Sequence, residues 1–325
     1  MPADTSIWNR YWQADRGAAC QADDRGLYTG VVARAWRAFA NQLHAGSRVL
    51  DLATGNGAVA ELLVESLRSG QTPVTIVGID RAVIHPRLPA SPKPGVECRW
   101  YANTPVETLP FAANMFHAVT SQYGVEYGDL ERAVEEAARV LRPGGHLQWI
   151  CHARSGHLAR DAHEEAIRAR SLMSLQLPGK VANLVRVQIC NGSFIAGSHR
   201  VTAGTPEARS VSSGLQEGFR ISGSRPGAPN GNLGLFIHNL AHLYQHRESH
   251  PVDLVLDKLN ELEEEIQVHA GRLEALYAAA LDADRIRLLE AKLEAAGLEI
   301  GTGPEHLESD SGRIVGIRFT ARKPA

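Results

Sequence analysis

The chain has 325 residues, a formal net charge of -2 at pH 7 and 44% hydrophobic residues. That length holds one large domain or two modest ones around a full core, and the balanced charge, with Lys and Arg scattered rather than gathered into a run, argues against nucleic acid or an anionic membrane as partner. Cys20, Cys98, Cys151 and Cys190 are widely spaced with no C-x-x-C pair, which suits reduced thiols better than a disulfide frame or a zinc site. No apolar run reaches the roughly 20 residues that span a bilayer, and the amino terminus lacks a signal-peptide profile. The expectation is a cytoplasmic protein.

Residues 1–45 are rich in aromatics, with Trp8, Tyr11, Trp12, Tyr28, Trp36 and Phe39 spaced compatibly with helices. They predict an N-terminal helical cap over a pocket or, on even terms, an aromatic edge to the core. Arg48-Val-Leu-Asp-Leu-Ala-Thr-Gly-Asn-Gly-Ala-Val-Ala60 then reads as an apolar strand, a glycine turn and a helix from about Ala58 to Leu67. Gly55 and Gly57 let the backbone turn sharply and approach a ligand, and the helix start offers unpaired N–H groups. Taken alone, Gly55-Asn-Gly57-Ala-Val-Ala60 also fits the dinucleotide fingerprint. Asp51, inside the strand end, would repel a pyrophosphate; it is placed to organise the loop or receive a cationic group. A second apolar run, Val74 to Ile79, ends in Asp80, about twenty residues past the turn and suited to gripping ribose hydroxyls.

Glu107-Thr-Leu-Pro-Phe111, Asn114-Met-Phe-His-Ala-Val-Thr-Ser121 and Val140-Leu-Arg-Pro-Gly-Gly-His-Leu147 follow in order. With the glycine turn they cover about residues 45 to 152. Together they resemble the class I S-adenosylmethionine-dependent methyltransferases, in particular the small-molecule set that includes the quinone C-methyltransferases. The resemblance implies an α/β fold, a Rossmann-like, mostly parallel seven-stranded sheet with an antiparallel last strand. It also implies S-adenosyl-L-methionine as cofactor and a small-molecule methyl acceptor.

Carried over residue by residue, Asp51, Ala53, Gly55 and Gly57 would hold the methionine end and Asp80 the ribose. The chain departs from the family pattern in having Ala53 for the first glycine, Pro105 for the adenine-binding Asp and His117 for the Asp of F-D-x-V. Asn103 or Thr104, with Val106 backbone groups, are the substitutes for adenine. Gln122 is placed near the sulfonium, and Tyr123, Glu126 and Tyr127 on the acceptor side. His152 and His157 are the candidate bases for a hydroxyl acceptor, because the unperturbed pKa of histidine suits that task. No N/D-P-P-Y/F motif of amino-methylating enzymes follows the strand.

After His152 the alternation of strands and helices stops. His157 to Leu177 reads as a helix ended by Pro178-Gly179, Ala196 to Asn232 as a Gly-, Ser- and Pro-rich loop, and Leu233 to about Tyr277 as helix interrupted near Pro251. Val255, Leu259, Leu262, Ile266, His269, Leu273 and Leu276 form a heptad seam that must pack on something, either another helix of the insertion or a homodimer mate. His238, His242 and His246 share one helical face. They favour packing or acceptor contact, with His238 and His242 as substrate-binding candidates and no metal site expected. Asp284 to Ala296 then predicts a helix, Leu298 onward a strand, and Arg313 to Thr320 the final strand after the Asp310-Ser-Gly312 turn.

The predicted regions are thus a cap at 1–45, a cofactor-binding core at 46–153, a mainly helical substrate lid at 154–282, and the last helix and two strands at 283–325. The expected function is methyl transfer to a small molecule, oxygen favoured over carbon or nitrogen. The alternatives are a catalytically inactive methyltransferase-fold protein that binds or dimerises, and an NAD-dependent oxidoreductase. A second βαβ half is expected for the latter and is not readable here.

Overall fold

The computed structural model describes residues 5–13, 20, 28–86, 93–190 and 204–325. In chain order these form α1 (Thr5–Gln13), α2 (Gly30–Ala40), β1 (Ser47–Leu52), α3 (Ala58–Ser66), β2 (Val74–Ile79), β3 (Val96–Tyr101), β4 (Phe116–Gln122), α4 (Leu130–Val140) and β5 (Leu141–Cys151). Next come α5 (His157–Ser174), α6 (Leu177–Cys190), α7 (Pro206–Ser222), α8 (Gly231–His246) and α9 (Val252–Ala279), then α10 (Ala283–Ala295), β6 (Glu299–Ile300), β7 (Glu305–Glu308) and β8 (Ile314–Arg322). The chain divides into two compact units, one of Met1–Ala162 with Ala275–Ala325 and one of His163–Glu274.

The first unit is an α/β sandwich around one sheet of order β3-β2-β1-β4-β5-β8-β6, with β7 also paired to β8. Strands β1 to β5 are parallel, and β8 runs antiparallel to β5. The Val-, Ile- and Leu-rich β1, β2 and β4 are buried along nearly their whole length, as strands covered on both faces must be. Leu50, Leu52 and Ile79 pack with α4 and α10 on one face, while Val49 and Ile76 pack with α2 and α3 on the other. The edge strand β3, Val-Glu-Cys-Arg-Trp-Tyr, alternates in exposure instead. The expected mostly parallel sheet with an antiparallel last strand is what the chain forms. The edge beyond β8 comes in two pieces, since residues 301–304 interrupt it and both β6 and β7 pair with β8, so the sheet has eight strands where seven were expected. Gly312, at φ 71°, closes the turn into β8 as the Asp-Ser-Gly sequence predicts.

The second unit is helical, and two expectations about it are corrected. Pro178-Gly179 do not end a helix. They sit in the first turn of α6, where the missing proline N–H is of no consequence, and the preceding helix stops at Ser174, with Gln176 in the left-handed region at φ 51°. Nor is Ala196 to Asn232 loop throughout, because Pro206–Ser222 is a helix. Thr205 caps it by accepting from the Ala208 N–H at 3.2 Å, and left-handed Gly223 ends it. Its glycines serve packing: a Cβ at Gly214 or Gly218 would stand 2.4 Å from Leu177 or 2.5 Å from Ile237. Residues 196–203 of that predicted loop lie outside the described residues.

The heptad seam on α9 is buried within the chain, from Val255 at 0% exposure through Leu259, Leu262, Ile266 and Leu273 to Leu276. His269 bonds Glu165 at 2.9 Å. No helix among the described residues is long and apolar enough to cross a membrane.

Candidate active site

A cavity of about 800 Å³, open to solvent, lies at the carboxyl ends of β1 and β4. Open α/β sheets bind ligands there, because the loops leaving adjacent strands diverge and leave a crevice. Its wall takes Ala53 and Thr54 from the turn after β1, Asp80 to Ala82 from the end of β2, Val106 and Glu107, and Gln122 to Gly124 from the end of β4. Trp8 and Trp12 of α1, Tyr28 and Tyr127 add an aromatic side. Trp8 meets Tyr127 edge-on at 5.3 Å and stacks near Trp12 at 6.3 Å.

The glycine turn is built around two carboxylates. Asp51, at 0% exposure, accepts from the Thr54 hydroxyl at 2.5 Å and the Thr120 hydroxyl at 2.8 Å. Asp80 accepts from the Gly55 N–H at 2.9 Å and the Ala82 N–H at 2.8 Å. Burial pushes each of them up to about 6, against the pull of those hydrogen bonds. Asp80 lines the cavity, whereas Asp51 does not; the expected direct grip of Asp51 on a ligand gives way to holding Thr54, which does line it. Gly55 and Gly57 adopt φ 54° and 90°, and a Cβ on them would meet Trp12 at 2.5 Å and Trp100 at 2.9 Å. Ala53 takes the same left-handed conformation at φ 51°. Gly124, whose Cβ would stand 2.4 Å from that of Ala53, lets the ends of β1 and β4 close up.

Gln122 is 5% exposed, and its Oε1 accepts from the Trp36 Nε1–H at 2.7 Å. Its Nε2, also buried, makes no hydrogen bond of good geometry among the described residues. Native proteins leave few such donors unmade. The Tyr123 hydroxyl is turned to the Val315 carbonyl at 2.8 Å. Glu107 bonds Arg81 through both oxygens at 2.7 Å and accepts from the Asp129 N–H. Burial opposes its charge, but those bonds hold it below the usual carboxylate range.

Several predicted positions fall elsewhere. Asn103 and Thr104 lie outside the wall, Thr104 donating its N–H to the Asp80 carbonyl at 2.8 Å and so shaping the loop; Val106 does line it. His152 does not reach the cavity either. It is 1% exposed, its Nδ1 bonds Glu126 at 2.9 Å, its Nε2 faces the Cys20 Sγ at 3.7 Å, and its ring stacks on Tyr123 at 4.2 Å. Burial disfavours its charge, yet the bonds to Cys20 and Glu126 push it up to about 9. An imidazolium with both nitrogens occupied is no proton acceptor at neutral pH, so His152 is corrected from a base to a buttress of the wall. His157 is likewise buried, its Nδ1 on the Ile314 carbonyl at 2.9 Å.

In the second unit both nitrogens of His238 face carbonyls, of Gly234 at 2.7 Å and Arg225 at 2.8 Å, and the His242 and His246 rings are 4.5 Å apart. Residues not predicted as site members but present in the wall are Thr5, Trp8, Trp12, Tyr28, Thr54, Arg81, Ala82, Glu107, Gly124 and Gly128. The aromatic richness of the N-terminal segment was the visible signal for Trp8, Trp12 and Tyr28, and the motifs of the glycine turn and of Glu107-Thr-Leu-Pro-Phe111 that for Thr54 and Glu107.

Comparison with known proteins matches residues 49–145 to the family described as methyltransferase domain. The ubiquinone/menaquinone biosynthesis C-methyltransferase of Rhizobium meliloti is 38% identical over 103 residues, 31% of this chain and 39% of that protein. The demethylmenaquinone methyltransferase of Thermus thermophilus is 37% identical over 107 residues, 32% of this chain and 46% of that one. The chain thus spans about two fifths of the length of the curated relatives it matches. A crystal structure of a SAM-dependent methyltransferase from Methanosarcina mazei aligns with 88% of this chain and 97% of that one, at 15% identity and a TM-score of 0.40.

Proposed function

We propose, on the premise that residues 49–145 form a methyltransferase domain of the S-adenosylmethionine class, that this chain transfers a methyl group from S-adenosylmethionine to a small molecule. The observation that carries the reading is Gln122, a residue of the cavity wall whose buried Nε2 donor makes no hydrogen bond of good geometry among the described residues. An unmade buried donor costs about 1–3 kcal/mol, and a ligand acceptor removes that cost. The other wall groups fit the same cofactor. Asp80 keeps lone pairs for ribose hydroxyls beyond the two N–H bonds it accepts, Val106 offers backbone groups, and the aromatic rings suit a cationic sulfonium.

Bound S-adenosylmethionine supplies an already activated methyl group, so the chain's own work is positioning and the exclusion of water. The pinned turn from Ala53 to Gly57 fixes the cofactor side, and Trp8, Tyr127 and Tyr123 offer a flat apolar face to an acceptor. Oxygen, the expected acceptor atom, draws no support from His152 or His157, since neither lines the cavity. The names of curated relatives, a C-methyltransferase of ubiquinone/menaquinone biosynthesis and a demethylmenaquinone methyltransferase, favour carbon over oxygen in a quinone-like acceptor.

Isothermal titration with S-adenosylmethionine, S-adenosylhomocysteine and NAD(H) in parallel tests this. Micromolar binding of the first two, weakened about tenfold by Gln122→Leu, is the expected result. Binding of NAD(H) alone would overturn it.

A further inference from the structure

We propose that the chain holds a second ligand site, for a phosphate-type oxyanion, between His117 and Arg142 at the end of the sheet opposite the candidate active site. A separate pocket of about 530 Å³ opens where β1 and β4 begin, lined among others by His44, Ser47, His117, Arg142 and His146. The Arg-Pro-Gly-Gly segment of β5 makes it. Phe116 pairs with Leu141 and Ala118 with His146, so residues 142–145 bulge out of the ladder opposite His117 alone. Gly145 permits the bulge, because a Cβ there would meet Leu141 and the Arg142 carbonyl at 2.7 and 2.8 Å.

The argument rests on who donates to whom. The Arg48 backbone N–H points at His117 Nδ1 from 3.1 Å. A backbone amide only donates, so Nδ1 carries the lone pair and the ring proton sits on Nε2. Arg142 Nη1 stands 2.6 Å from that same Nε2, and a guanidinium has no lone pair to offer. Two N–H groups therefore face each other with no acceptor between them. Burial, followed by the charge of Arg142, holds His117 below the usual histidine range, which keeps this arrangement at neutral pH.

An oxyanion between the two groups resolves the conflict. Arg142 is exposed and can swing by the distance an oxygen needs, its fork matching two oxygens of a tetrahedral anion. Ser47 accepts from the His44 N–H at 2.9 Å, which leaves its hydroxyl proton to donate. Arg322, whose guanidinium reaches toward Gly144, adds positive charge, while burial and that same arginine hold the pKa of His146 down. None of the described residues lining the pocket is acidic. A carboxylate at position 117 would accept from Arg142 by itself and close the site, whereas the imidazole leaves it open.

The test is isothermal titration of the full chain with inorganic phosphate and, separately, glycerol 3-phosphate, beside S-adenosylhomocysteine as an independent check of the other cavity. Saturable binding of either phosphate, at least tenfold weaker in Arg142→Ala and in His117→Asp with S-adenosylhomocysteine affinity unchanged, supports the site. Comparable affinity for both assigns it to the free anion, and a clear preference for glycerol 3-phosphate assigns it to a phosphomonoester. Absence of saturable binding of both, or undiminished affinity in the exposed-residue variant Arg142→Ala, overturns the proposal.

Discussion

Ala53 occupies the left-handed backbone region at φ 51°, where a Cβ costs roughly 1–2 kcal/mol that glycine avoids. The departure from the family's glycine is therefore an energetic burden rather than the loss of a contact. Ala53→Gly is expected to change stability by no more than about 1 kcal/mol, the relieved strain offset by a more flexible unfolded chain. It should leave S-adenosylhomocysteine binding intact, and chemical denaturation with titration checks both. Ala53→Val, with a β-branched residue at positive φ, should destabilise well beyond that.

Asp80 makes a second prediction at this scale. With its acid form retained up to about pH 6 by burial, Asp80 in its proposed role would offer the ribose a full carboxylate only above that value. S-Adenosylhomocysteine affinity should be flat above about pH 7 and fall by up to about tenfold per unit below pH 6. Asp80→Asn should bind weakly at every pH. The sign for folding is opposite. Because the folded pKa values of Asp51 and Asp80 are raised, their contribution to stability is present below about pH 4 and declines as pH rises through about 6. Acid should thus remove binding without any loss of stability from these two groups.

At the scale of elements, the N-terminal helix and the glycine turn act as one device. Trp12 lies against Gly55 so closely that any side chain there must move the indole. Gly55→Ala is expected to displace α1, to change the intrinsic tryptophan emission and to weaken S-adenosylhomocysteine binding at least tenfold; unchanged emission would show that the turn and α1 are not coupled. The strands were legible because apolar runs ending in acids or glycines have few alternatives. α7 was not, because its Gly214 and Gly218 make it resemble a loop, and only the side chains of Leu177 and Ile237 packed against them show why glycine is there.

At the scale of the molecule, the seam of α9 asked for a partner and finds it inside the 163–274 unit, where Val255, Leu259, Leu262 and Ile266 join one core with residues of α5 to α8. Leu259→Ala should therefore lower stability by about 2–5 kcal/mol with no change in mass by light scattering. A fall in oligomeric state in that variant would restore the dimer reading of the seam.

The amino-acid order alone determined the α/β class, the turn with Asp51, Gly55, Gly57 and Asp80, and the return of the chain to its sheet after the insertion. These are local matters, since a strand, a tight turn and a helix start depend on residues adjacent in the chain. Tertiary structure decided what each polar group faces. Asp51 turned out to serve Thr54 and Thr120, and His152 to be held charged by Glu126 and Cys20. Gln122 was left with a donor unpaired among the described residues, and His117 with its Nε2 against Arg142. Those outcomes depend on groups distant in sequence, and the burial that couples them exists only once the sheet and its covering helices have closed.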